Sequence, residues 1–242
     1  MSDDADSPGR LGLVVPSSNT TAEVEFSQYT PDGVSVHAAR MALESVTVDE
    51  LDAMSADASR AAELLGHADV DVVAYACTTG SLLHGPGFDA ELEETLSDAA
   101  GVPAVATARS VVRALEALEA ENIAVATPYT ADLDERERDF LEAAGFEVVS
   151  IDGRGIEANT EIGALGPDDA REQVTALAET IESVDAVFVS CTNYRSLDAV
   201  DSLEADFEVP VITSNGATLW DACRVSSIAA GGPGVLFERE PY

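Results

Sequence analysis

The chain has 242 residues, 46% of them hydrophobic, which is enough for one large domain or two of about 100–120 residues each. Its 46 acidic residues outnumber 12 basic ones, all arginine, so the net charge is −34. That charge excludes nucleic acid and anionic membranes as partners. No stretch reaches the roughly 20 apolar residues that a membrane span needs.

Short valine-rich runs alternate with amphipathic acidic stretches, the pattern of parallel sheets covered by helices. The predicted strands are residues 10–15, 34–40, 71–76, 103–106, 122–126, 146–151, 185–190 and 209–213. The predicted helices include one capped by Thr47 and Glu50, one from Thr107 as N-cap to Ala120, and one over about residues 167–183. Thr20 and Glu23 also have capping-box spacing, which places Glu23 at a helix start rather than in catalysis.

Two halves of the chain repeat each other. The run Arg10–Pro16 resembles Asn122–Pro128, and the strand that ends at Cys77 resembles the one that ends at Cys191. The fold class predicted is α/β, with two similar Rossmann-like or flavodoxin-like domains. Residues 1–107 plus 214–242 would form the domain that carries Cys77, and residues 108–213 the domain that carries Cys191.

Polar turns follow four of the predicted strands: Pro16–Thr20, Cys77–Ser81, Thr127–Thr130 and Cys191–Ser196. Ligands of parallel α/β sheets bind at the carboxyl ends of the strands. Since two turns come from each half, we expect all four to line one cleft between the domains.

The two cysteines are the candidate reactive groups. Each lies between a strand and a predicted helix start, where free N–H groups and the helix dipole favour a thiolate and can bind carboxylates. Thr78, Thr79, Thr192 and Asn193 add short polar donors. A single cysteine after an apolar strand is more often a small buried hydrophobe. Two at matching positions, each followed by threonine, favour a function.

Other residues near the turns have less specific signals. Asn19 could point its amide into the cleft or be a simple turn residue, and Tyr129 could donate its hydroxyl to a carboxylate. Asn159 lies in a long polar loop, and Arg195 is most simply a surface ion-pair residue. His84 and Tyr194 lie near the cysteine turns without an assigned role, whereas Cys223 lies on an apolar helical stripe and is predicted to be core.

The cysteines and the charged residues also indicate the redox state, the metal content and the cellular compartment to expect. Three cysteines make no complete disulfide framework, and neither they nor the three isolated histidines fit a zinc pattern. We therefore expect reduced thiols and no metal. The acidic residues are spread over all the predicted helices, which favours adaptation to a high-salt cytoplasm over attraction to a cationic partner. The polar, acidic residues 1–7 are expected to be a frayed cytoplasmic leader rather than a secretion signal.

The motifs around Asn19, Cys77, Tyr129, Asn159 and Cys191 resemble the aspartate/glutamate racemase superfamily, and within it most closely the maleate cis–trans isomerase branch. The resemblance implies two α/β domains related by pseudo-twofold symmetry, no cofactor and a homodimer. It also implies that Cys77 is the nucleophile and Cys191 the proton donor. Asn19, Tyr129 and Asn159 match the residues that bind the substrate carboxylates.

This resemblance predicts isomerisation of maleate, or of a close unsaturated dicarboxylate, and leaves three alternatives open. Amino-acid racemases also use two cysteines, but here an α-ammonium group would lack an obvious counter-charge. Arylmalonate decarboxylases share the fold but have glycine in place of Cys77. A non-catalytic carboxylate-binding module would need the donor turns but not two reactive thiols.

Overall fold

A computed structural model describes residues 9–239, so the expected N-terminal leader lies outside the described residues. The strands are β1 (Arg10–Pro16), β2 (Ser35–Met41), β3 (Val72–Tyr75), β4 (Ala104–Ala106), β5 (Asn122–Thr127), β6 (Glu147–Gly153), β7 (Ala186–Val189) and β8 (Val211–Thr213). The helices are α1 (Ala22–Tyr29), α2 (Val48–Ser55), α3 (Ala58–Gly66), α4 (Thr78–Leu82), α5 (Phe88–Ala100), α6 (Thr107–Ala117), α7 (Ala131–Ala143), α8 (Asn159–Ile162), α9 (Pro167–Ala176), α10 (Ala178–Ile181), α11 (Val200–Phe207) and α12 (Ser214–Ser226).

The strands form two parallel four-stranded sheets with the same internal order. The first sheet is ordered β2-β1-β3-β4 and the second β6-β5-β7-β8. All eight predicted strands are present, with ends within two residues of the prediction. The α/β class with two similar parallel-sheet units is therefore confirmed.

The central strands of the two sheets are deeply buried. Every residue of β3 and β7 is buried, and β1 is buried from Leu11 to its end, because helices cover both faces of the sheets. The edge strands β2 and β6 are mixed in burial. The candidate turns lie at the carboxyl ends of the central strands, which fixes their position on a rigid support.

Two helices are exchanged between the sheets. The α6 residues Val111 and Leu115 share an apolar cluster with Ile123 of β5, so α6 follows the first sheet but packs on the second. Cys223 of α12 lies in a cluster with Leu11 of β1, so α12 follows the second sheet but packs on the first. Cys223 is fully buried, as its apolar stripe predicts. The proposed boundaries near residues 107 and 213 remain a prediction, which this exchange supports.

Three helix details differ from the prediction. Thr107 is the first helical residue rather than the cap, and its hydroxyl donates to the Tyr75 carbonyl. The helix ends at Ala117, and the helix expected over 167–183 is interrupted at Leu177. The N–H of Leu177 there bonds to the Val174 carbonyl, three residues back, which tightens and closes the turn.

Over residues 9–239, no helix combines the length and the apolar character needed to cross a bilayer.

Candidate active site

The four polar turns meet around one closed cavity. Its volume is about 10 Å³, the room of a single water molecule. All nine predicted site residues line it: Asn19, Cys77, Thr78, Thr79, Tyr129, Asn159, Cys191, Thr192 and Asn193. Residues far apart in sequence and from both sheets therefore converge as the repeat predicts.

Cys77 ends the segment after β3 and is the N-cap of the short helix α4. Its side chain is 5% exposed. Burial raises the pKa of the Cys77 thiol to about 11, while the Gly80 N–H and the Thr79 hydroxyl lower it by hydrogen bonding to the sulfur. The expected thiolate-favouring position at a helix start is present, but in the closed cavity desolvation outweighs it and the thiol is neutral at pH 7.

The backbone around Cys191 differs from that around Cys77. The prediction that a helix begins directly after Cys191 is wrong. A turn follows instead, and Cys191 has a φ of +94°, a conformation that costs a residue with a side chain about 1–3 kcal/mol. Its N–H donates to Ser214 Oγ at 3.0 Å, which helps to hold this turn. The Tyr194 N–H donates to the Cys191 carbonyl at 3.2 Å and closes a turn here, in place of the expected helix start.

The Cys191 thiol contacts groups of the cavity wall. Burial raises the pKa of Cys191 to about 12, and the nearby Cys77 raises it further. The Asn193 N–H donates to the sulfur at 3.4 Å, and this bond and the nearby Tyr129 hydroxyl lower the pKa. The two thiols thus interact electrostatically within one cavity, so only one of them can easily carry a negative charge.

Asn19 caps the helix that follows its turn. Its Oδ1 accepts the N–H groups of Thr21 and Ala22 at 3.0 and 2.9 Å, so the amide replaces the expected Thr20 cap. Its Nδ2 donates to Thr192 Oγ1 in the turn of the other half. Glu23 lies in the first turn of α1 and pairs with Arg40 outside the cavity, as its assignment to a helix start predicts.

Asn193 and Asn159 join the two halves. Asn193 Oδ1 accepts the Thr20 N–H at 2.8 Å, and its Nδ2 donates to the carbonyl and side chain of Asn159. Asn159 Nδ2 in turn donates to Ser18 Oγ. The Asn193 amide is therefore occupied in positioning, while its backbone N–H faces the Cys191 sulfur at 3.4 Å.

Sequence reasoning missed residues that close and support the cavity. Leu43 and Val46 line it from the cover segment, defined here as residues 43–46 between β2 and α2. The cover segment is bonded to the second half, where the Val46 N–H donates to the Glu157 carbonyl. Ser214 was also missed, although its hydroxyl bonds to Thr78 and accepts the Cys191 N–H. The sequence signal that could have identified the cover segment is the presence of two apolar residues, Leu43 and Val46, within a polar loop.

Glu25 is a second missed support. It is buried, and it accepts the N–H groups of Ser196 and Leu197 and the side-chain amide of Asn215. Burial raises the pKa of Glu25 to about 7 against these hydrogen bonds. Glu25 thereby fixes the end of the Cys191 turn against α1 and α12.

Three nearby residues lie outside the cavity lining. His84 is partly exposed, pairs with Asp52 at 3.1 Å and packs edge-on against Phe88. Arg195 pairs with Asp198 at the surface, as predicted. Tyr194 is buried and donates its hydroxyl to Gln173.

A family model described as arylmalonate decarboxylase matches residues 11–237. The chain belongs to this family. It is 32% identical to the maleate isomerase of Pseudomonas putida, over 93% of this chain and 94% of the relative. It is 28% identical to the arylmalonate decarboxylase of Bordetella bronchiseptica, over 94% and 96% of the two chains.

A solved member of the family has a closely similar fold. It is a Nocardia farcinica maleate cis–trans isomerase in which a cysteine is replaced by serine, with a covalently bound succinylcysteine intermediate. The TM-score is 0.87 at 30% identity, covering 95% of this chain and 98% of that one. These findings confirm the resemblance that the motifs indicate.

Proposed function

We propose that the protein is an isomerase that converts maleate, or a closely related unsaturated dicarboxylate, to the trans isomer without a cofactor. The observation that carries the proposal is the pair of thiols of Cys77 and Cys191 on one cavity between the two halves. A nucleophile and an acid on the same small cavity are the groups that reversible addition to an alkene requires.

The reaction begins with addition of the Cys77 thiolate to one alkene carbon. The electron pair of the double bond moves toward the neighbouring carboxylate and forms an enediolate, which the polar groups of the turns stabilise. Cys191 then gives its proton to the adjacent carbon. The former double bond is now single and rotates, and reversal of both steps releases the trans product.

The Cys77 thiolate forms before the cavity closes. Burial is the main cause of the raised Cys77 pKa, so exposure of the site to water lowers it toward the ordinary value. The cover segment with Leu43 and Val46 is the wall that lies over the cavity between the halves. Its displacement would both admit the substrate and allow the Cys77 proton to leave to water.

Substrate carboxylates are bound by Asn19, Tyr129 and Asn159, together with N–H groups of the two cysteine turns. In support, all three side chains are buried at the cavity wall. The amides of Asn19 and Asn159 donate hydrogen bonds without adding positive charge, and the Tyr129 hydroxyl does so when its proton is not directed at Cys191. Thr78, Thr79, Thr192 and Asn193 shape the remaining wall.

Racemisation and decarboxylation are less well supported. Among the described residues that line the cavity, none is acidic or a histidine, so the ammonium group of an amino acid has no counter-charge there. Decarboxylation is the activity of the B. bronchiseptica relative and is the second candidate. Cys77 argues against it, because the decarboxylases that this chain resembles have glycine at that place.

Proton NMR of the purified protein in high salt tests the proposal. Separate tubes contain maleate, D-aspartate, L-aspartate and phenylmalonate. Fumarate should appear from maleate alone. A changed configuration of aspartate would favour a racemase, and phenylacetate would favour a decarboxylase. Ligand binding without any turnover would favour a carboxylate-binding module.

We further propose that the protein works as a homodimer in a high-salt cytoplasm. In support, three cysteines make no complete disulfide framework, and the acidic charge is distributed over the chain. Light scattering in high salt should give twice the chain mass of 25.2 kDa. A monomer mass would contradict the dimer.

A further inference from the structure

A second buried carboxyl group, Glu137 of α7, lies behind the Cys191 turn. It is 1% exposed, and its Oε1 lies 2.6 Å from the hydroxyl of Ser190, the residue before Cys191. Its other oxygen, Oε2, is buried without a hydrogen-bond partner. A buried carboxylate normally has its lone pairs satisfied, so this unpartnered oxygen calls for an explanation.

The repeat supplies a built-in comparison. Glu137 is the counterpart of Glu25 at the offset that relates β5 to β1. Glu25 has two N–H groups and the Asn215 amide as donors. In the second half the counterpart of Asn215 is Ala108, and Ser190 replaces the counterpart Ala76. The donors that hold the Glu25 carboxylate are therefore replaced, around Glu137, by one hydroxyl, that of Ser190 next to Cys191.

Ser190 connects Glu137 to the reactive thiol. The Tyr129 hydroxyl lies close to both the Ser190 hydroxyl and the Cys191 sulfur, and it lowers the pKa of that thiol. If Glu137 is protonated, each group can donate to the next in one direction, from Glu137 to Ser190, then to Tyr129, then to Cys191. Burial favours that protonated form and raises the pKa of Glu137 to about 8, with Ser190 opposing the rise and Asp134 adding to it.

We propose that Glu137 is a positioning residue that acts on Cys191 through Ser190 and Tyr129, as the far end of a proton relay. This inference rests on the proposed isomerase function. When Cys191 has given its proton to the substrate carbon, the Tyr129 O–H proton moves to the sulfur. The Ser190 proton moves to Tyr129 and the Glu137 proton to Ser190, in one concerted shift.

The net result of the shift is a neutral Cys191 and a Glu137 carboxylate. The negative charge thereby leaves the thiol that faces Cys77 and the dianionic substrate. After bond rotation the same transfers run backward, so Cys191 is again a thiolate and removes the proton from carbon. The bond between that carbon's neighbour and Cys77 breaks, and its electron pair returns to the Cys77 sulfur.

Titratable groups approach Glu137 from its own helix, from the Cys191 side and from β6, whose Asp152 raises the pKa of Asp134. Asp134 lies on the same helix, and Tyr129 and Cys191 face it through Ser190. Helix α4, which packs against α7, contains no titratable residue from Thr78 to Leu82. Loss or gain of a proton by Glu137 therefore changes the charge directly behind the Cys191 turn.

Steady-state kinetics of maleate isomerisation by four variants test the relay. The Glu137→Gln variant keeps the shape but has no proton to release, so kcat should fall about tenfold or more while KM stays within about twofold. Ser190→Ala breaks the same chain and should have a similar effect. The double variant should be no slower than the slower single variant, because both changes cut one pathway. Glu204→Gln, which removes a partly buried carboxyl on α11 that bonds to backbone N–H groups, is the matched control and should keep wild-type turnover.

The pH profile separates the relay from a purely structural role. Wild-type kcat should decline as pH rises through about 8, where Glu137 loses its proton, and Glu137→Gln should lack that decline. Unchanged kcat in both Glu137→Gln and Ser190→Ala, or losses that multiply in the double variant, would overturn the relay. Absence of wild-type turnover would instead overturn the isomerase function itself.

Discussion

At the scale of single residues, Gly80 holds the space in which the Cys77 sulfur lies. A Cβ at this position would lie 2.7 Å from the Tyr75 hydroxyl, 2.9 Å from Met54 Cε and 3.1 Å from the Cys77 sulfur. Tyr75 is fully buried, so a shift of its ring would disturb the core around it. A side chain at residue 80 would therefore crowd both the Cys77 sulfur and the core behind it.

Replacement of Gly80 by alanine should therefore lower stability by roughly 1–3 kcal/mol, as in other overpacked cores. It should also reduce kcat, because the Cys77 sulfur is displaced. Urea unfolding and NMR assays of maleate conversion measure the two effects. Gly231→Ala is the control for added side-chain volume, because its Cβ position has only ordinary contact, with the Tyr29 carbonyl at 3.7 Å, and its φ is not positive. Wild-type turnover by Gly80→Ala would show that the sulfur position does not matter.

At the scale of elements, the cover segment must move for a dicarboxylate to reach the thiols. The closed cavity holds only about 10 Å³. Ser45 and Ala158 form an antiparallel bridge that ties the cover segment to the second half. Paired residues in such a bridge have Cα atoms about 4.5–5.5 Å apart, within the range that a disulfide spans.

A Ser45→Cys/Ala158→Cys variant should lock the site closed when oxidised. Turnover should then fall at least about tenfold, since the substrate cannot enter a sealed cavity, and dithiothreitol should restore it. The two single variants are the controls for the substitutions themselves. Full activity of the oxidised protein, with the disulfide verified by mass spectrometry, would show that the cover segment does not gate the site.

The elements also show what a sequence can predict. The eight strands and the convergence of four turns follow from apolar runs and from the rule that ligands bind at strand ends. The neutral state of both thiols could not be predicted, because burial of Cys77 and Cys191 depends on contacts with the distant Leu43 and Val46. For the same reason no local signal marks Glu137 as buried within an acidic helix.

At the scale of the whole molecule, two buried carboxyl groups link stability to pH. Burial raises the pKa of Glu25 to about 7 and of Glu137 to about 8, from 4.5 for an ordinary glutamate. Between pH 4.5 and the raised pKa of each group, the folded chain keeps a proton that the unfolded chain has lost. The stability they contribute is therefore fully present below pH 4.5 and is lost as pH rises toward about 8.

Glu137→Gln should weaken this pH dependence by removing one of the two groups, each worth on the order of a few kcal/mol. Thermal unfolding of the variant and of the wild type between pH 5 and 8, in constant high salt, measures it. Glu135→Gln changes the same net charge on an exposed position of α7 and should leave the slope unaltered. An equal slope in wild type and Glu137→Gln would show that Glu137 is ionised throughout.

The net charge of −34 makes the folded state repel itself. Salt shortens the screening length from about 10 Å at 0.1 M to about 3 Å at 1 M, so the melting temperature should rise over this range of KCl. The rise should shrink near the sequence pI of about 4.1, where the net charge vanishes. A melting temperature independent of KCl at pH 7 would contradict the high-salt interpretation.

The central claim is that Cys77 adds to the substrate while Cys191 handles the proton, and trapping the adduct tests it most directly. A Cys191→Ser variant incubated with maleate, digested and analysed by mass spectrometry should carry one maleate-derived succinyl group on Cys77, with fumarate production lost. An unmodified Cys77 together with continued fumarate production would contradict the account.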